Sequence, residues 1–516
     1  MVRNQTAETI PASNAHASNV PGSTVSADVD VAIVGAGLSG IGMAAHLQAM
    51  CPGRSFTLLE RRENLGGTWD LFRYPGVRSD SDMHTLGFVF EPWKHEKSIA
   101  DGEAILQYLN RIADERDIRR HIRFGAKVVS ADWDSSSALW HIVTENDQGR
   151  SDMTARFLYL GSGYYDYDQP FDAGFEGRED FAGQIVHPQF WPEDLDYDDK
   201  RVVVIGSGAT AVTIVPSMAR KAKMVTMLQR TPTWYATRPA KDAFANTLRR
   251  ILPEELAYRL TRWKNVAMQD FFFKRARNNP AKFGEFLTGK IKEHLGDHYD
   301  AETFTPPYDP WDQRLCLVPD ADLFEAIKAH RAEIVTDHID RFVPEGILTK
   351  SGKLIRADII VTATGLSLAI AGKIDMRKDG QPIDFSEHFY YKGCMFSNLP
   401  NLAVVFGYLN ASWTLRADLN SEYVCKLLNH MQAVGADVAT PVLPENHALE
   451  EDDLFDFSSG YIQRSKHIMP KSATSLPWRL NQDYRKDRAA MKNDQVDDGV
   501  MQFDKAPSAA HAQAAE

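Results

Sequence analysis

Two glycine-rich turns constrain the fold of this chain more than any other feature of its sequence. The first reads Gly35-x-Gly37-x-x-Gly40 and the second Gly206-x-Gly208-x-x-Ala211. Each follows a short apolar run suited to a buried parallel strand and precedes a segment with helical character. Glycines in such a unit let the backbone approach a pyrophosphate, and the helix N-terminus supplies amide hydrogens and the positive end of a dipole. The sequence therefore predicts an α/β fold with two Rossmann-like dinucleotide-binding domains.

The first turn is followed by an acid at the position that contacts a ribose. The next apolar run, Ser55-Phe-Thr-Leu-Leu59, ends in Glu60, twenty residues after Gly40. At this interval a carboxylate accepts hydrogen bonds from ribose hydroxyls. Because a carboxylate repels a 2′-phosphate, we expect FAD or NAD at the first site and not NADP.

An arginine replaces that acid in the second unit. The run Met224-Val-Thr-Met-Leu228 leads into Gln229-Arg230-Thr231, and Arg230 lies nineteen residues after Ala211. A guanidinium binds a 2′-phosphate through paired, charge-assisted hydrogen bonds. The sequence therefore predicts NADPH at the second site, with a solvated surface charge as the alternative interpretation of Arg230.

Between the two turns lies the segment Phe181-x-Gly183-x-x-x-His187-x-x-x-Trp191-Pro192. Its spacing resembles the fingerprint of Baeyer-Villiger monooxygenases. Two further segments, Gly66-Gly67-Thr68-Trp69 and Tyr74-Pro-Gly76-x-x-x-Asp80, resemble a second signature of the same family. Residues 69–76, 226–230 and 310–316 are most similar to the ethionamide-activating type within this family.

The resemblance implies an enzyme that binds FAD at the first site and NADPH at the second. Such an enzyme uses O2 to convert ketones to esters or lactones through a C4a-peroxyflavin, and oxygenation of sulfur compounds is implied as a further activity. Arg314 matches the active-site arginine of the family, and Asp80 matches the acid that pairs with it. A fixed cation in a water-poor site would stabilise the peroxide as the anion that attacks a ketone. Many members carry a lysine where this chain has Gln313, so Arg230 is expected to carry more of the contact with the 2′-phosphate.

The predicted site residues follow from the two turns and from the resemblance, and no metal ligand is among them. Arg314 and Asp80 are predicted to be catalytic. The residues predicted to bind the cofactors are Gly35, Gly37, Ser39, Gly40, Glu60, Gly67, Thr68, Trp69, Asp80, Val128, Gly206, Ser207, Gly208, Ala209, Thr210, Ala211, Arg230 and Thr231. Val128 enters because its strand looks like the one whose backbone holds the adenine in this family.

Three other functions remain as alternatives. A flavin-dependent N- or S-monooxygenase uses an electrophilic peroxide and would not need Arg314. A pyridine-nucleotide electron-transfer flavoprotein reductase is disfavoured, because the four cysteines are widely separated and form no C-x-x-C pair. A non-catalytic FAD-binding partner protein has no use for Asp80, Arg230 and Arg314 together. Within the fingerprint, His187 is interpreted as a hydrogen-bonded hinge and not as an acid or base.

The two turns and the resemblance also predict the domain organisation. Residues 357–365 resemble the strand and turn by which such enzymes re-enter the FAD domain, and residues 407–413 the segment that closes around the pyrimidine end of the flavin. The predicted parts are a disordered tail (1–27), an FAD-binding domain (28–165 and 355–494), a linker with the fingerprint (166–200), an NADP-binding domain (201–354) with a helical insertion (241–300), and a flexible tail (495–516).

The helical insertion has an unusual charge. Residues 241–293 carry 12 Lys and Arg against 6 Asp and Glu. Leu248, Ile251, Leu252, Leu256 and Leu260 form one apolar stripe, and Phe271-Phe-Phe273 adds an aromatic cluster. An insertion that shapes the substrate entrance is our first interpretation, and a basic amphipathic surface that touches lipid is the alternative.

Composition limits the partners. A net charge of −12 gives no general attraction for nucleic acid. No apolar run is long enough to span a membrane, and the first 27 residues lack the apolar region of a signal peptide. We therefore expect a cytoplasmic protein, a monomer or loose oligomer, that acts on a small ketone or sulfur-containing substrate with O2.

Overall fold

The computed structural model describes residues 26–313, 315–452, 458–493 and 495–507. The helices in this part of the chain are α1 (Leu38–Met50), α2 (Thr68–Leu71), α3 (Met83–Leu86), α4 (Gly102–Glu115), α5 (Ala209–Met218), α6 (Ala243–Ile251), α7 (Glu254–Asn278), α8 (Pro280–Leu295), α9 (Ala301–Phe304), α10 (Asp322–Lys328), α11 (Trp413–Val434), α12 (Gly460–Ser465) and α13 (Tyr484–Asn493).

The strands in the same ranges are β1 (Val29–Val34), β2 (Phe56–Leu59), β3 (Ile122–Arg123), β4 (Lys127–Asp134), β5 (Leu139–Asn146), β6 (Gly149–Leu160), β7 (Gln184–Val186), β8 (Arg201–Ile205), β9 (Met224–Gln229), β10 (Tyr235–Arg238), β11 (Cys316–Pro319), β12 (Ala332–Thr336), β13 (Ile339–Val343), β14 (Gly346–Thr349), β15 (Leu354–Arg356), β16 (Ile359–Thr362), β17 (Asp375–Lys378), β18 (Gln381–Pro382), β19 (Tyr390–Tyr391), β20 (Met395–Phe396), β21 (Leu402–Val404), β22 (Val438–Pro441), β23 (Glu451–Asp452), β24 (Ser472–Ala473) and β25 (Met501–Asp504).

The larger sheet is built around the first glycine turn. Its strand order is β18-β17-β4-β5-β6-β1-β2-β3, and β21 also pairs with β6. The first half of β6 pairs antiparallel with β5, and its second half lies parallel between β1 and β21. Residues 38–47 of α1 are buried, as expected for a helix that packs between the sheet and α11. This packing fixes the N-terminus of α1 at the carboxyl end of β1.

The smaller sheet is built around the second glycine turn. Its order is β12-β9-β8-β16-β7, and all of its pairings are parallel. The strands β8 and β16 are almost wholly apolar and buried, which is typical of central strands covered on both faces. α5 follows β8 and packs on this sheet, so a second helix N-terminus lies at the carboxyl end of a central strand.

Three boundary predictions are wrong. The strand expected to re-enter the FAD domain is β16, which lies in the smaller sheet between β8 and β7. The predicted linker contributes β7, the edge strand of that sheet. The predicted flexible tail includes β25, which pairs antiparallel with β22. The physical reason is common to all three, because a short apolar or alternating run specifies burial but not the strand it pairs with.

The insertion is helical, as predicted. α6, α7 and α8 occupy most of residues 243–295, and α7 contacts α3 of the larger domain. Among the described residues, no helix combines the length and the apolar character that crossing a membrane requires.

Candidate active site

The first glycine turn closes tightly between β1 and α1. β1 ends at Val34 and α1 begins at Leu38. A Cβ at Gly40 would lie 1.8 Å from the carbonyl oxygen of Gly35, so only glycine lets the first turn of the helix pack on the loop before it. The first amide groups of a helix have no partner within the helix, so this end can bind an anion such as a pyrophosphate.

Glu60 lies buried beside that turn, at the end of β2. One carboxylate oxygen, Oε2, accepts a hydrogen bond from the amide of Ala36 at 2.7 Å, and Oε1 accepts from the amide of Arg62 at 2.9 Å. Burial raises the pKa of Glu60, while the two amide donors act in the opposite direction. A carboxylate offers about four acceptor positions, so capacity remains for ribose hydroxyls.

One cavity of about 330 Å³ extends between the two glycine turns. This volume is typical of pockets that bind small molecules and cofactors. Its wall includes residues of the first turn and residues at the start of α5. The predicted cofactor-binding residues that line it are Gly35, Gly37, Ser39, Glu60, Gly67, Thr68, Trp69, Asp80, Val128, Ala209 and Thr210.

The other described residues of the prediction do not line the cavity. Gly40 and Ala211 are buried, which agrees with a role in packing. The hydroxyl of Ser207 donates to the carbonyl of Thr231 at 3.2 Å and so ties the second turn to the residues after β9. The remaining members of this group are Gly206, Gly208 and Arg230.

Arg230 is exposed directly after β9. Gly208 is also exposed, and a Cβ added there would meet no atom within 4 Å. Because β8 and β9 are parallel neighbours, the second turn and Arg230 lie at the same edge of the smaller sheet. This edge therefore presents a helix N-terminus and a cation to solvent, a combination that suits a phosphorylated dinucleotide.

The segment from Tyr74 to Asp80 joins the two halves of the site. Tyr74 lies beside Thr210 at the start of α5, and burial raises its pKa to about 12. Gly76 has a positive φ of 79°, and a Cβ there would lie 1.8 Å from the hydroxyl of Ser217 on α5. Arg78 donates to Asp322 at 2.5 Å. The segment thus belongs to the larger domain but is packed directly against the smaller one.

Of the two predicted catalytic residues, the structure describes only Asp80. Asp80 is exposed and lies on the wall of the cavity, near Tyr74. Arg314 lies outside the described residues, so its pairing with Asp80 stays a prediction.

An aromatic group at the end of the cavity predicted for the flavin was only partly predicted from the sequence. The indole of Trp413 donates to the hydroxyl of Ser39 at 2.9 Å, and Tyr164 stacks on Trp413 with ring centroids 5.1 Å apart. The hydroxyls of Tyr164 and Tyr165 lie 2.7 Å apart. All three aromatic residues line the cavity. The sequence signal that could have identified the two tyrosines is their position just after β6, because ligands bind at the carboxyl ends of parallel strands.

A second missed group lies at the opposite end, beside Val128. Lys127 lines the cavity, and its Nζ lies 3.4 Å from Asp168. Arg61 is also paired with Asp168, and the hydroxyls of Thr68 and Tyr167 lie 3.2 Å apart. These contacts close the wall around the region predicted for the adenosine.

The fingerprint segment packs along the edge of the smaller sheet. Phe181 is buried in one apolar cluster, and Trp191 packs against another. A Cβ at Gly183 would lie 2.3 Å from the carbonyl oxygen of Asp358, so glycine permits close approach to β16. Nδ1 of His187 accepts from the amide of Gln189 at 3.2 Å, and burial lowers the pKa of His187. A neutral imidazole that holds a turn agrees with the hinge interpretation, which stays a prediction.

Comparison with known protein families identifies a match over residues 28–288, to the family described as flavin-binding monooxygenase-like. Among curated proteins, the FAD-containing monooxygenase EthA of Mycobacterium tuberculosis is 49% identical over 482 residues, which cover 93% of this chain and 98% of the relative. The probable FAD-binding monooxygenase AlmA of Acinetobacter baylyi is 46% identical over 479 residues, 92% of this chain and 96% of the relative.

Two solved structures show the same fold. Oxidized steroid monooxygenase bound to NADP has a TM-score of 0.72 at 23% identity and covers 92% of this chain and 99% of its own. Cyclohexanone monooxygenase bound to ε-caprolactone has a TM-score of 0.72 at 22% identity, with the same coverage. The predicted fold class, with two dinucleotide-binding domains, is confirmed.

Proposed function

The chain belongs to the flavin-binding monooxygenase-like family, and on that basis we propose that it is a Baeyer-Villiger monooxygenase. It uses FAD, NADPH and O2 to convert ketones to esters or lactones, and it also oxygenates sulfur compounds. The names of its relatives, FAD-containing and FAD-binding monooxygenases, support the cofactor and the reaction class.

The observation that carries this proposal is the single cavity shared by both glycine turns. It is lined by Gly35 and Gly37 at the start of α1 and by Ala209 and Thr210 at the start of α5. Two dinucleotides bound at these helix N-termini would approach each other between the turns, as transfer of a hydride requires. A protein that only stored FAD would have no need of the second turn.

The donor groups fit FAD along the larger domain. In this proposal Glu60 accepts hydrogen bonds from the ribose, and the α1 N-terminus binds the pyrophosphate. Trp69, Tyr164 and Trp413 supply the apolar surface for the ring system.

The smaller domain fits NADPH. In this proposal the start of α5 binds its pyrophosphate, and the exposed guanidinium of Arg230 binds the 2′-phosphate. Tyr74 and Thr210 both line the cavity, between the two proposed cofactor positions.

The residues of the chain set the environment of the reaction. When bound, FAD accepts a hydride from NADPH and in its reduced form activates O2. Trp69, Tyr74 and Trp413 exclude water from this end of the cavity. Arg314, oriented by Asp80, supplies the positive charge that stabilises the negative charge developed during attack on the ketone.

The alternatives fit less well. A disulfide reductase needs two cysteines beside the flavin. In the described chain, Cys51 and Cys425 contact each other, but Cys51 follows the last residue of α1. That position is about 20 Å from the turn, given the rise of about 1.5 Å per helical residue. An S- or N-monooxygenase shares every feature except a need for Arg314.

The test is a screen of the yellow holoenzyme for NADPH consumption over linear, cyclic and aryl ketones, with product analysis. Ester or lactone formed in proportion to NADPH supports the proposal. Oxygenated thioether or amine without any ester would favour the alternative monooxygenase.

A further inference from the structure

The long helix α7 is attached to the protein by its polar side. Thr261, Arg262 and Asn265 are buried on this face. Arg262 donates through Nη1 to the carbonyls of His84 at 2.9 Å and Gly87 at 2.8 Å. Asn265 donates to Oδ1 of Asp82 at 2.8 Å. Hydrogen bonds and charge, together with the buried ring of Tyr258, therefore hold α7 against the larger domain.

The opposite face of α7 is apolar and exposed. Leu256, Leu260, Trp263 and Phe271 recur at helical spacing on one side, and Trp263 is 68% exposed and Phe271 58% exposed. In most helices of soluble proteins the apolar stripe faces the core and the polar face meets water. The reversed arrangement of α7 is typical of a helix whose outer face meets an apolar medium.

The neighbouring helices extend this surface. Of the fourteen large hydrophobic side chains exposed in the described chain, nine lie between residues 244 and 286. Besides the α7 stripe they include Phe244 and Ile251 of α6, and Phe286 of α8. We call the exposed side of α6, α7 and α8 the insertion surface. Scattered apolar residues are normal on protein surfaces, whereas a contiguous group marks an interaction site.

The charge around the insertion surface is opposite in sign to that of the whole protein. Residues 243–295 carry 11 Lys and Arg against 5 Asp and Glu, while the chain has a net charge of −12. Arg250, Arg259, Arg275 and Lys282 are exposed, and none has a carboxylate partner among the described residues. Arg259 and Arg275 flank the apolar stripe of α7 on its two sides.

We propose that the insertion surface docks onto a membrane that contains anionic lipid, with α7 lying in the plane of the interface. Exposed Trp, Phe and Leu beside unpaired Arg and Lys are the composition of interfacial helices. Tryptophan in particular favours the boundary between headgroups and acyl chains. A second copy of the chain is a poorer occupant, because a two-fold interface would place the basic surface against itself.

The proposal extends to the entry of substrate beside α7, an extension that rests on the proposed function. Val266, Gln269 and Phe273 of α7 line a second cavity of about 70 Å³ together with Ala411, and Ala411 also lines the large cavity. In this extension, an apolar ketone dissolved in the bilayer enters beside α7, past a small cavity that is also lined by the charged Asp270 and Lys274. The proposed substrate class is ketones that partition into lipid.

The experiment measures sedimentation of the holoenzyme with vesicles. We expect binding to vesicles of phosphatidylglycerol and phosphatidylcholine, weaker binding to phosphatidylcholine alone, and release by salt. Trp263→Ser combined with Phe271→Ser should lower the partition coefficient about tenfold or more, because two aromatic side chains no longer enter the interface. Arg259→Gln and Arg275→Gln should each lower it about fivefold on anionic vesicles.

The matched control replaces exposed apolar residues elsewhere, Leu354→Ser with Leu476→Ser, and should bind as wild type does. Every variant must retain FAD absorbance. Absence of binding to anionic vesicles overturns the proposal. Binding that is unchanged when Trp263 and Phe271 are both replaced by Ser also overturns it. If the wild-type protein does not bind vesicles but forms a dimer in sedimentation velocity, and the double substitution dissociates that dimer, the surface is assigned to a second copy of the chain.

The extension is tested by turnover of a long-chain ketone held in vesicles, relative to a water-soluble ketone. We expect this ratio to fall in the Trp263 and Phe271 variant, and an unchanged ratio overturns the entry path. Vesicle binding is measured without turnover, so the membrane surface and the proposed function are tested separately. If binding behaves as expected and no ketone is oxidised, the proposed function fails and the membrane surface stands.

Discussion

The substitution Arg262→Met tests whether α7 is held by buried charge. Arg262 is 7% exposed, and its guanidinium donates to three backbone carbonyls and lies 3.4 Å from Oδ2 of Asp418. Methionine keeps the length and most of the volume of the side chain but supplies no donor. Asp418 would retain His46 and the amide of Val89 as partners, at 3.3 and 3.1 Å.

The expected loss of stability follows from these contacts. Removal of one partner from a buried ion pair typically costs about 3–5 kcal/mol, because the other charge stays buried without compensation. The remaining contacts of Asp418 place this case toward the lower end, while the three carbonyls that lose this donor act in the other direction. With about 2–4 °C per kcal/mol for a large domain, the midpoint should fall by roughly 6–20 °C.

The assay is the temperature at which flavin fluorescence rises as the holoenzyme unfolds. The matched control is Arg259→Met, on the same helix but exposed, which should change stability by less than about 0.5 kcal/mol. If Arg262→Met shifts the midpoint no further than Arg259→Met does, the buried contacts do not hold the helix and the reasoning is wrong.

Three further predictions concern the cofactors and the reaction. Arg230→Ala should raise the KM for NADPH about ten- to a hundredfold and leave that for NADH nearly unchanged, since a charge-assisted hydrogen bond contributes about 1.5–3 kcal/mol; an unchanged preference in steady-state kinetics contradicts the assignment of the 2′-phosphate site. Arg314→Ala should keep FAD and consume NADPH while ester formation falls about 10²–10³-fold, with Asp80→Ala milder, as shown by ester and hydrogen peroxide formed per NADPH; wild-type coupling in Arg314→Ala would favour the S- or N-monooxygenase. Burial raises the pKa of Glu60 above its value in the unfolded chain, so its contribution to the stability of the apoprotein is lost as pH rises through that pKa. The ionised form is the better ribose acceptor, so FAD affinity should fall on acidification through the same pKa, and Glu60→Gln should flatten the pH profile of the FAD Kd measured by fluorescence.

The sequence was sufficient for the two nucleotide-binding units. A strand, a glycine turn, a helix and the residue after the next strand lie within about 30 residues, and their geometry is set by local backbone constraints. The turn at Gly35–Gly40 and the acid at Glu60 therefore appear in the structure as predicted. The opposite charges at the ends of the second strands, on Glu60 and Arg230, could be read from the sequence for the same reason. The fold class followed from the repetition of the unit.

The pairing partners of the strands could not be predicted from the sequence. Residues 359–362 were predicted to lie in the larger domain and form the centre of the smaller sheet, and residues 501–504 were predicted to be flexible and pair with β22. An apolar run specifies that a strand is buried. Which strand lies beside it depends on the order in which distant segments assemble.

Only the tertiary structure decided how the two units meet. Tyr74 reaches Thr210, Gly76 packs on Ser217, and one cavity results. The orientation of α7 was decided in the same way. Its apolar residues have the same periodicity whether they face the core or the solvent, and the contact of Arg262 with Asp418 turns them outward. Contacts between residues far apart in the chain leave no periodic pattern in either segment, so the sequence predicts an amphipathic helix but not the side on which it is buried.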